Sequence, residues 1–513
     1  MNMKQLTFLK YTFAAIAGLL LAACSDDKFR DINTDPNRPT DVPTTTLISS
    51  GQKQLVDALR GSAANFRGSM LFAQYFSQNQ YTNESRYDLT RTGSDAIWDG
   101  TYKALNNLEQ IIRLNSDPLT KDRVAGAVGP NENQIAIVRI LKSWAFLSLT
   151  DVFGDIPYSS YGSSDPDFQA LKLNPEILKP KYASQEKIYT DILKELKEAA
   201  AQLTAVNTFQ AYDGIYKGNT ALWKKFANSL RLRVAVRIRA KLPQLADTHI
   251  QEAIAGGLIT TNAENATLKY ENKSPNEAPL FRITVTENRR DFSVSHILIN
   301  VLKGDVGPFT AADPRLAVYA RPNNLGQYRG QPYGLQPSVA SLLKAEDISL
   351  PGTVVNAADY AEVLIELAEV NFLLSEVRGW TQADYVAGVR ASLEKWGVDG
   401  AAATAYVNAL PAANRENVLS QKYLALYMQG IEAWSEVRRT GVPAWLVKPG
   451  DVVWPDLPNP LPGEDKFTPF VGTGIPARLY YPQKEQTVNV ENYRSALAAQ
   501  GGDVLATKVW WNK

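Results

Sequence analysis

ENQIAIVRILKSWAFLSLTDVFGDIPY (Glu132–Tyr158) decides the fold class. From Glu132 to Val152 apolar residues fall on nearly every side: Ile135, Ile137, Val138, Ile140, Leu141, Trp144, Phe146 and Leu147. A helix with no polar face has to be buried, so this segment predicts a central helix. Gly154 suits a helix C-terminus and Pro157 prevents continuation, so the helix stops before Tyr158.

Amphipathic helices surround it in the sequence. From Gly51 to Phe76, Leu55, Leu59, Phe66, Met70 and Ala73 recur at helical steps. A second helix is expected from Ser94, read as its N-cap, through Trp98, Tyr102, Leu105, Leu108 and Ile112. Others are expected over Ser184–Leu203 and Thr220–Leu242, then Ala357–Val377, Ala383–Trp396 and Arg415–Arg438. Residues 257–356 break the pattern. They are rich in Asn, Pro and Gly and hold strand-like pieces at Thr267–Tyr270 and Phe281–Thr286. The expected fold is mostly α, a tetratricopeptide-like helical repeat superstructure with a loop-rich insertion carrying short β-hairpins. The tail after Gly441 reads as loop.

The N-terminus carries its own message. Lys4 and Lys10 precede an apolar stretch from Tyr11 to Ala23, which ends in Leu21-Ala22-Ala23-Cys24. This reads as a secretory signal peptide over 1–23 closed by a lipobox, too short to span a bilayer as a stable helix. Cys24 is the only cysteine, so an internal disulfide and a CxxC site are excluded and lipidation (palmitate-type acyl chains) is its expected role. Residues 24–46 would form a flexible tether kept extended by Pro36, Pro39 and Pro43, followed by one domain over 47–513. The acidic pair Asp26-Asp27 beside the lipid looks like a surface-export tag; a solvated tether is the plainer explanation.

The 513-residue chain has 54 basic and 53 acidic residues; without the two leader lysines, 52 basic residues face 53 acidic ones. Such balance, with no long basic block, gives no electrostatic footprint for nucleic acid. His249 and His296 are the only histidines and stand far apart, which argues against a zinc site or a Ser-His-Asp relay. No G-x-G-x-x-G or Walker sequence occurs, and no cofactor or metal is expected.

Several segments together resemble the SusD/RagB family of outer-membrane nutrient-binding lipoproteins, in its SusD-like subgroup. They include INTDPNRPTDVP (32–43), SWAFLSLTDVFGDIPYSSYG (143–162), YASQEKIYTDILKEL (182–196), the run from Asp213 through Gly218, Trp223 and Asn228 to Arg239, DPRLAVYARP (313–322), QKYLALYMQGIEAWSEVRRTGVP (421–443) and IPARLYYPQKEQTVN (475–489). The resemblance implies four tetratricopeptide-like units and a protein lipid-anchored in the outer membrane, facing the cell exterior. It also implies a non-enzymatic role, in which a glycan or peptide is caught and handed to a SusC-type TonB-dependent β-barrel transporter.

Sugar rings present apolar C–H faces rimmed by hydroxyls, so a glycan binder needs aromatic platforms with polar neighbours. The chain holds 10 Trp, 23 Tyr and 17 Phe, most of them expected in the core. Two loop regions fit a platform. One offers Tyr75, Gln78, Tyr81, Arg86 and Tyr87, with Trp98 on the following helix; the other offers Asn288, Phe292, Tyr328 and Tyr333. Core packing is the competing explanation, strongest for Trp98, four residues from Tyr102. Glu362, Glu366 and Glu369 fall on one face of the expected helix over Ala357–Val377. They could serve a lipid-anchored helical glycoside hydrolase, but a solvated or salt-bridged face explains them better, with Arg231, Arg233, Arg237 and Arg239 as partners. A lid or scaffold that seats the transporter without touching ligand is the third reading.

Overall fold

The computed structural model describes residues 42–172, 177–470 and 474–513. The expected signal peptide, Cys24 and nearly all of the expected tether lie outside the described residues. A compact unit begins at Thr44 and runs to Lys513.

The chain is mostly α. Its main helices are α1 (Thr44–Arg60), α2 (Arg91–Ser116), α3 (Asn131–Phe153), α4 (Gln185–Gln202), α5 (Thr220–Ile238), α6 (Pro243–Ala255), α7 (Leu367–Val377), α8 (Gln382–Lys395), α9 (Arg415–Ala425) and α10 (Gly430–Thr440). From α1 to α6 each helix packs on the next, as in a stacked helical repeat, and α5 passes the contact on to α7. As its composition demands, α3 is central: every residue from Asn133 to Phe153 is buried. It ends at Gly154 with φ +86°, where a Cβ would stand 1.7 Å from Gln500 Oε1. Only glycine fits there.

Charged residues in this core are cross-bonded. Arg139 on α3 meets Glu195 and Glu198 of α4 at 2.8 and 2.7 Å. Arg237 of α5 bonds Asp151 of α3 and Glu432 of α10. Buried charges persist only when paired in this way.

Two small antiparallel ribbons complete the fold. β1 (Phe76–Gln78) pairs with β3 (Phe292–Val294), and β2 (Ala266–Lys269) pairs with β4 (Ala361–Ile365). The insertion is thus sewn to the rest of the chain at two places, through β2 and through β3. It also contains a helix, His296–Lys303, whose N-terminus is capped by Ser295 Oγ accepting from Leu298 N at 3.2 Å.

Several boundaries differ from the expectation. The first helix stops at Arg60 because Gly61 is extended (φ −72°, ψ −177°); a wide π-turn over Ser62–Ser69 follows, itself kinked at Gly68 (φ −133°, ψ −109°). α2 starts at Arg91 after Thr90, leaving Ser94 buried a turn inside the helix and not at its cap. Phe281–Thr286 is helical, led by Pro279, and not a strand. Ala357–Val377 divides into β4 and α7 at Glu366, which holds extended backbone (φ −141°, ψ 161°). The tail holds a further helix over Val490–Gln500. None of the helices among the described residues is long and apolar enough to cross a membrane.

Candidate ligand-binding surface

The two loop regions singled out in the sequence are neighbours, joined by the β1–β3 ribbon. In register, Phe76 faces Val294 and Gln78 faces Phe292. The ladder extends to Asn79, whose N–H donates to the Asp291 carbonyl at 3.1 Å. On the other flank Gln331 N donates to Val294 O, and His296 N to Gln331 O, both at 2.9 Å. Backbone hydrogen bonds thus set the stretches around 78, 291 and 331 side by side.

The loop after β1 is held from within. Gln78 spans it, donating to Glu84 Oε2 at 2.8 Å and accepting from Ser85 N at 3.1 Å. Arg67 donates to Glu84 Oε1 at 2.7 Å, and Asn83 donates to Asp88 Oδ2 at 2.7 Å. Tyr81 and Tyr87 both take left-handed backbone, φ +52° and +64°. This reverses the chain twice and sends their rings opposite ways. Tyr81 is 70% exposed and Tyr87 only 1%.

Of the ten residues expected to touch ligand, six are buried. Tyr75 lies against Tyr423, ring centroids 4.6 Å apart. Tyr87 sits among Phe72, Tyr333 and Phe467, and burial pushes its phenol up to about 12. Trp98 packs on Tyr102 and Phe153 at 5.1 and 5.3 Å. Phe292 and Tyr333 are at most 1% exposed, and the Gln78 amide is spent on its own loop. These six are corrections to the expected platform: their job is to pin the loops to the helical frame, since a large aromatic ring buried among others is stabilised by burial and edge contacts.

Four remain accessible. Tyr81 and Asn288 (φ +51°) are exposed, while Arg86 and Tyr328 are half-buried. Arg86 donates to the Thr468 carbonyl at 3.2 Å. Beside Asn288, Arg289 pairs with Asp291 at 2.7 Å and stands over the Phe292 ring. The surface therefore offers one free aromatic face, one partly free ring and a polar rim.

The glutamate stripe does not exist as a stripe. Glu362 lies on β4, Glu366 at the strand–helix junction and Glu369 on α7, and all three are buried, not solvated. Glu369 binds Arg233 of α5, which also donates to the Leu364 carbonyl at 3.0 Å. Glu366 faces Lys395 at 2.5 Å and Glu362 faces Arg60 at 3.9 Å. Of the expected arginines only Arg233 meets this set; Arg231 binds Glu252 and His249, and Arg239 binds Asp247. Among the described residues no group of three or more His, Cys, Asp and Glu side chains could hold a metal ion.

A groove of about 820 Å³ runs between the β2–β4 ribbon and the end of α8. Tyr360, Lys395 and Trp396 form its wall. Nothing in the sequence brought these residues together, because they come from segments that meet only in the fold.

Residues 36–456 match the SusD-like family described as "Starch-binding associating with outer membrane". Residues 408–512 match a second description, "Susd and RagB outer membrane lipoprotein". No curated protein matches. Among solved structures the chain is similar to a chitin-binding protein, at 26% identity and TM-score 0.73, over 92% of this chain and 100% of that one. It is also similar to a chitin-binding SusD homolog from Flavobacterium johnsoniae, at 25% identity and TM-score 0.70, covering 91% and 98%. A SusD homolog from Parabacteroides distasonis shares the fold, with 21% identity and TM-score 0.74 over 92% and 98%.

Proposed function

Because the chain belongs to the SusD/RagB family of outer-membrane lipoproteins, we propose that it captures a glycan at the cell surface and passes it to a TonB-dependent β-barrel transporter of the SusC type. Cys24 would carry the lipid that keeps it at the membrane, on the outer side. The role is binding without chemistry.

The observation that carries this reading is the Tyr81 ring, 70% exposed on a loop whose other large side chains are anchored. An exposed ring on a fixed loop stacks on a sugar face at little cost in ordering entropy. Asn288, which precedes β3 by four residues, and Tyr328, three residues before the Gln331 that bonds to Val294, would supply the polar rim and a second ring. Support for a glycan over a peptide comes from the chitin-binding relatives at 25–26% identity. A hydrolase reading has less to stand on, since Glu369 is committed to Arg233 and the three carboxyls share no helical face.

The test uses the mature chain with Cys24→Ser, titrated calorimetrically with chitin and starch oligosaccharides and with peptides, each mixture then assayed for breakdown. Binding without breakdown is the expected result. Release of shorter products would replace this reading with a hydrolase. Uptake lost on deleting the protein, in cells that keep the transporter, would support the handover.

A further inference from the structure

We propose that residues 468–470, from the C-terminal tail, form a third wall of the candidate ligand surface, with Phe470 as a further aromatic platform. Tyr81, the Arg86 guanidinium and Phe470 would together take a linear glycan of several sugar units. The placement of the tail stands on its own geometry; the choice of a glycan rests on the capture reading above.

The tail meets the Tyr81 loop directly. Phe470 N donates to the Arg86 carbonyl at 2.7 Å, and Arg86 Nε donates to the Thr468 carbonyl at 3.2 Å. Phe467, just before, is buried as a wedge between the two loop regions, its ring centroid 5.5 Å from that of Tyr87 and 5.3 Å from that of Tyr333. Gly334 makes room for it: a Cβ there would stand 2.3 Å from the Phe467 ring and 3.2 Å from the Ser85 carbonyl. The stretch is therefore anchored to both regions before Phe470 is reached, yet the Phe470 side chain is 62% exposed.

A single exposed apolar ring is ordinary on a protein surface. Its position is what argues here. Among the described residues only three aromatic side chains are exposed, Tyr81, Tyr212 and Phe470. Tyr212 stands apart, its carbonyl held by Ser49 of α1. The other two are linked through two hydrogen bonds: Thr82 O, next to Tyr81, accepts from Arg86 N, and Arg86 O accepts from Phe470 N. At about 4 Å for a covalent step and about 5–6 Å for a hydrogen-bonded one, their backbones lie within roughly 15 Å. Between them Arg86 spends only Nε on the tail, which leaves its two terminal nitrogens as donors. Ring, donor and ring in that order suit a chain of sugars, each with an apolar C–H face and hydroxyl edges. One or two sugars cover a single ring, whereas a longer chain can lie across both. Phe470 carries no polar side-chain atom, so it rewards length without choosing the sugar.

The test titrates the mature Cys24→Ser chain calorimetrically with the disaccharide and hexasaccharide of β-1,4-linked N-acetylglucosamine, and with maltose and maltohexaose. The titrations are repeated on Phe470→Ala, Phe470→Tyr and Tyr81→Ala, with thermal melts to show that each variant is folded. We expect Phe470→Ala to weaken hexasaccharide binding fivefold or more and the matching disaccharide less than twofold. Phe470→Tyr, which keeps the ring, should bind as the parent does. Hexasaccharide binding unchanged in Phe470→Ala but weakened in Tyr81→Ala overturns the proposal and leaves glycan capture standing. Equal weakening of short and long sugars by Phe470→Ala also overturns it, because a further platform acts only on a chain that reaches it. If neither hexasaccharide binds the parent, glycan capture falls and the proposal falls with it.

Discussion

Tyr81 and Tyr87 share a loop and a left-handed backbone, yet one ring faces water and the other the core. Tyr87→Ala should destabilise the fold by about 3–5 kcal/mol in chemical denaturation, as large aromatic truncations do. Tyr81→Ala should leave stability within about 0.5 kcal/mol. It should weaken glycan binding roughly tenfold in calorimetry, about 1.4 kcal/mol. The sequence could not separate the two, because alternating aromatic and polar residues in a loop carry no period that reports which side is inward. Glu362 gives a pH signature. Burial pushes its carboxyl up to about 7 and Arg60 pulls it only partly back. The folded state therefore holds this proton more tightly than the unfolded chain, and the site's contribution to stability falls as pH rises from about 4.5 to 7. The total loss is on the order of 3 kcal/mol at about 1.4 kcal/mol per pH unit. Glu362→Gln ionises nowhere, so its melting temperature should gain on the parent's between pH 5 and pH 8; a constant difference would count against the assignment.

At the level of elements, the long periodic helices were legible. α3, α4 and α5 end within a few residues of their expected limits, and Ser184 caps α4 by accepting from Lys187 N. What could not be read were elements decided by a distant partner. Val363-Leu364-Ile365 fits helix and strand patterns alike, and pairing with β2 settles it as strand. The expected helix over Arg415–Arg438 breaks at Met428 (φ +72°), so that Gly430 can lie against the π-turn. A Cβ on Gly430 would stand 2.4 Å from Asn65 Oδ1 and 2.5 Å from Ser69 Oγ. Gly430→Ala should thus cost about 1–3 kcal/mol, seen as a lower denaturation midpoint. The candidate surface shows the same limit: the sequence offered two separate loop stretches with nothing to say that the β1–β3 ribbon joins them, and burial takes six of the ten side chains out of reach.

Across the whole molecule, α5 works as a spine of guanidinium groups. Arg237 bridges α3 and α10 through Asp151 and Glu432. Arg237→Met would strip Asp151 of its ion partner and leave Glu432 only the longer contact to Arg233, and should destabilise by about 3–5 kcal/mol. Arg237→Lys should recover only part of this, because one ammonium cannot reproduce a forked guanidinium; full recovery in a denaturation series would refute that account. The ribbons join the molecule over longer spans still. Gln78 finds its strand partner at Phe292, roughly two hundred residues later. A chain made N-terminus first presents β1 long before β3 exists, with its edge bare and the aromatic residues around Tyr75 uncovered. The interval between the making of β1 and of β3 is then the stretch of synthesis in which the unfinished chain is most open to wrong pairing.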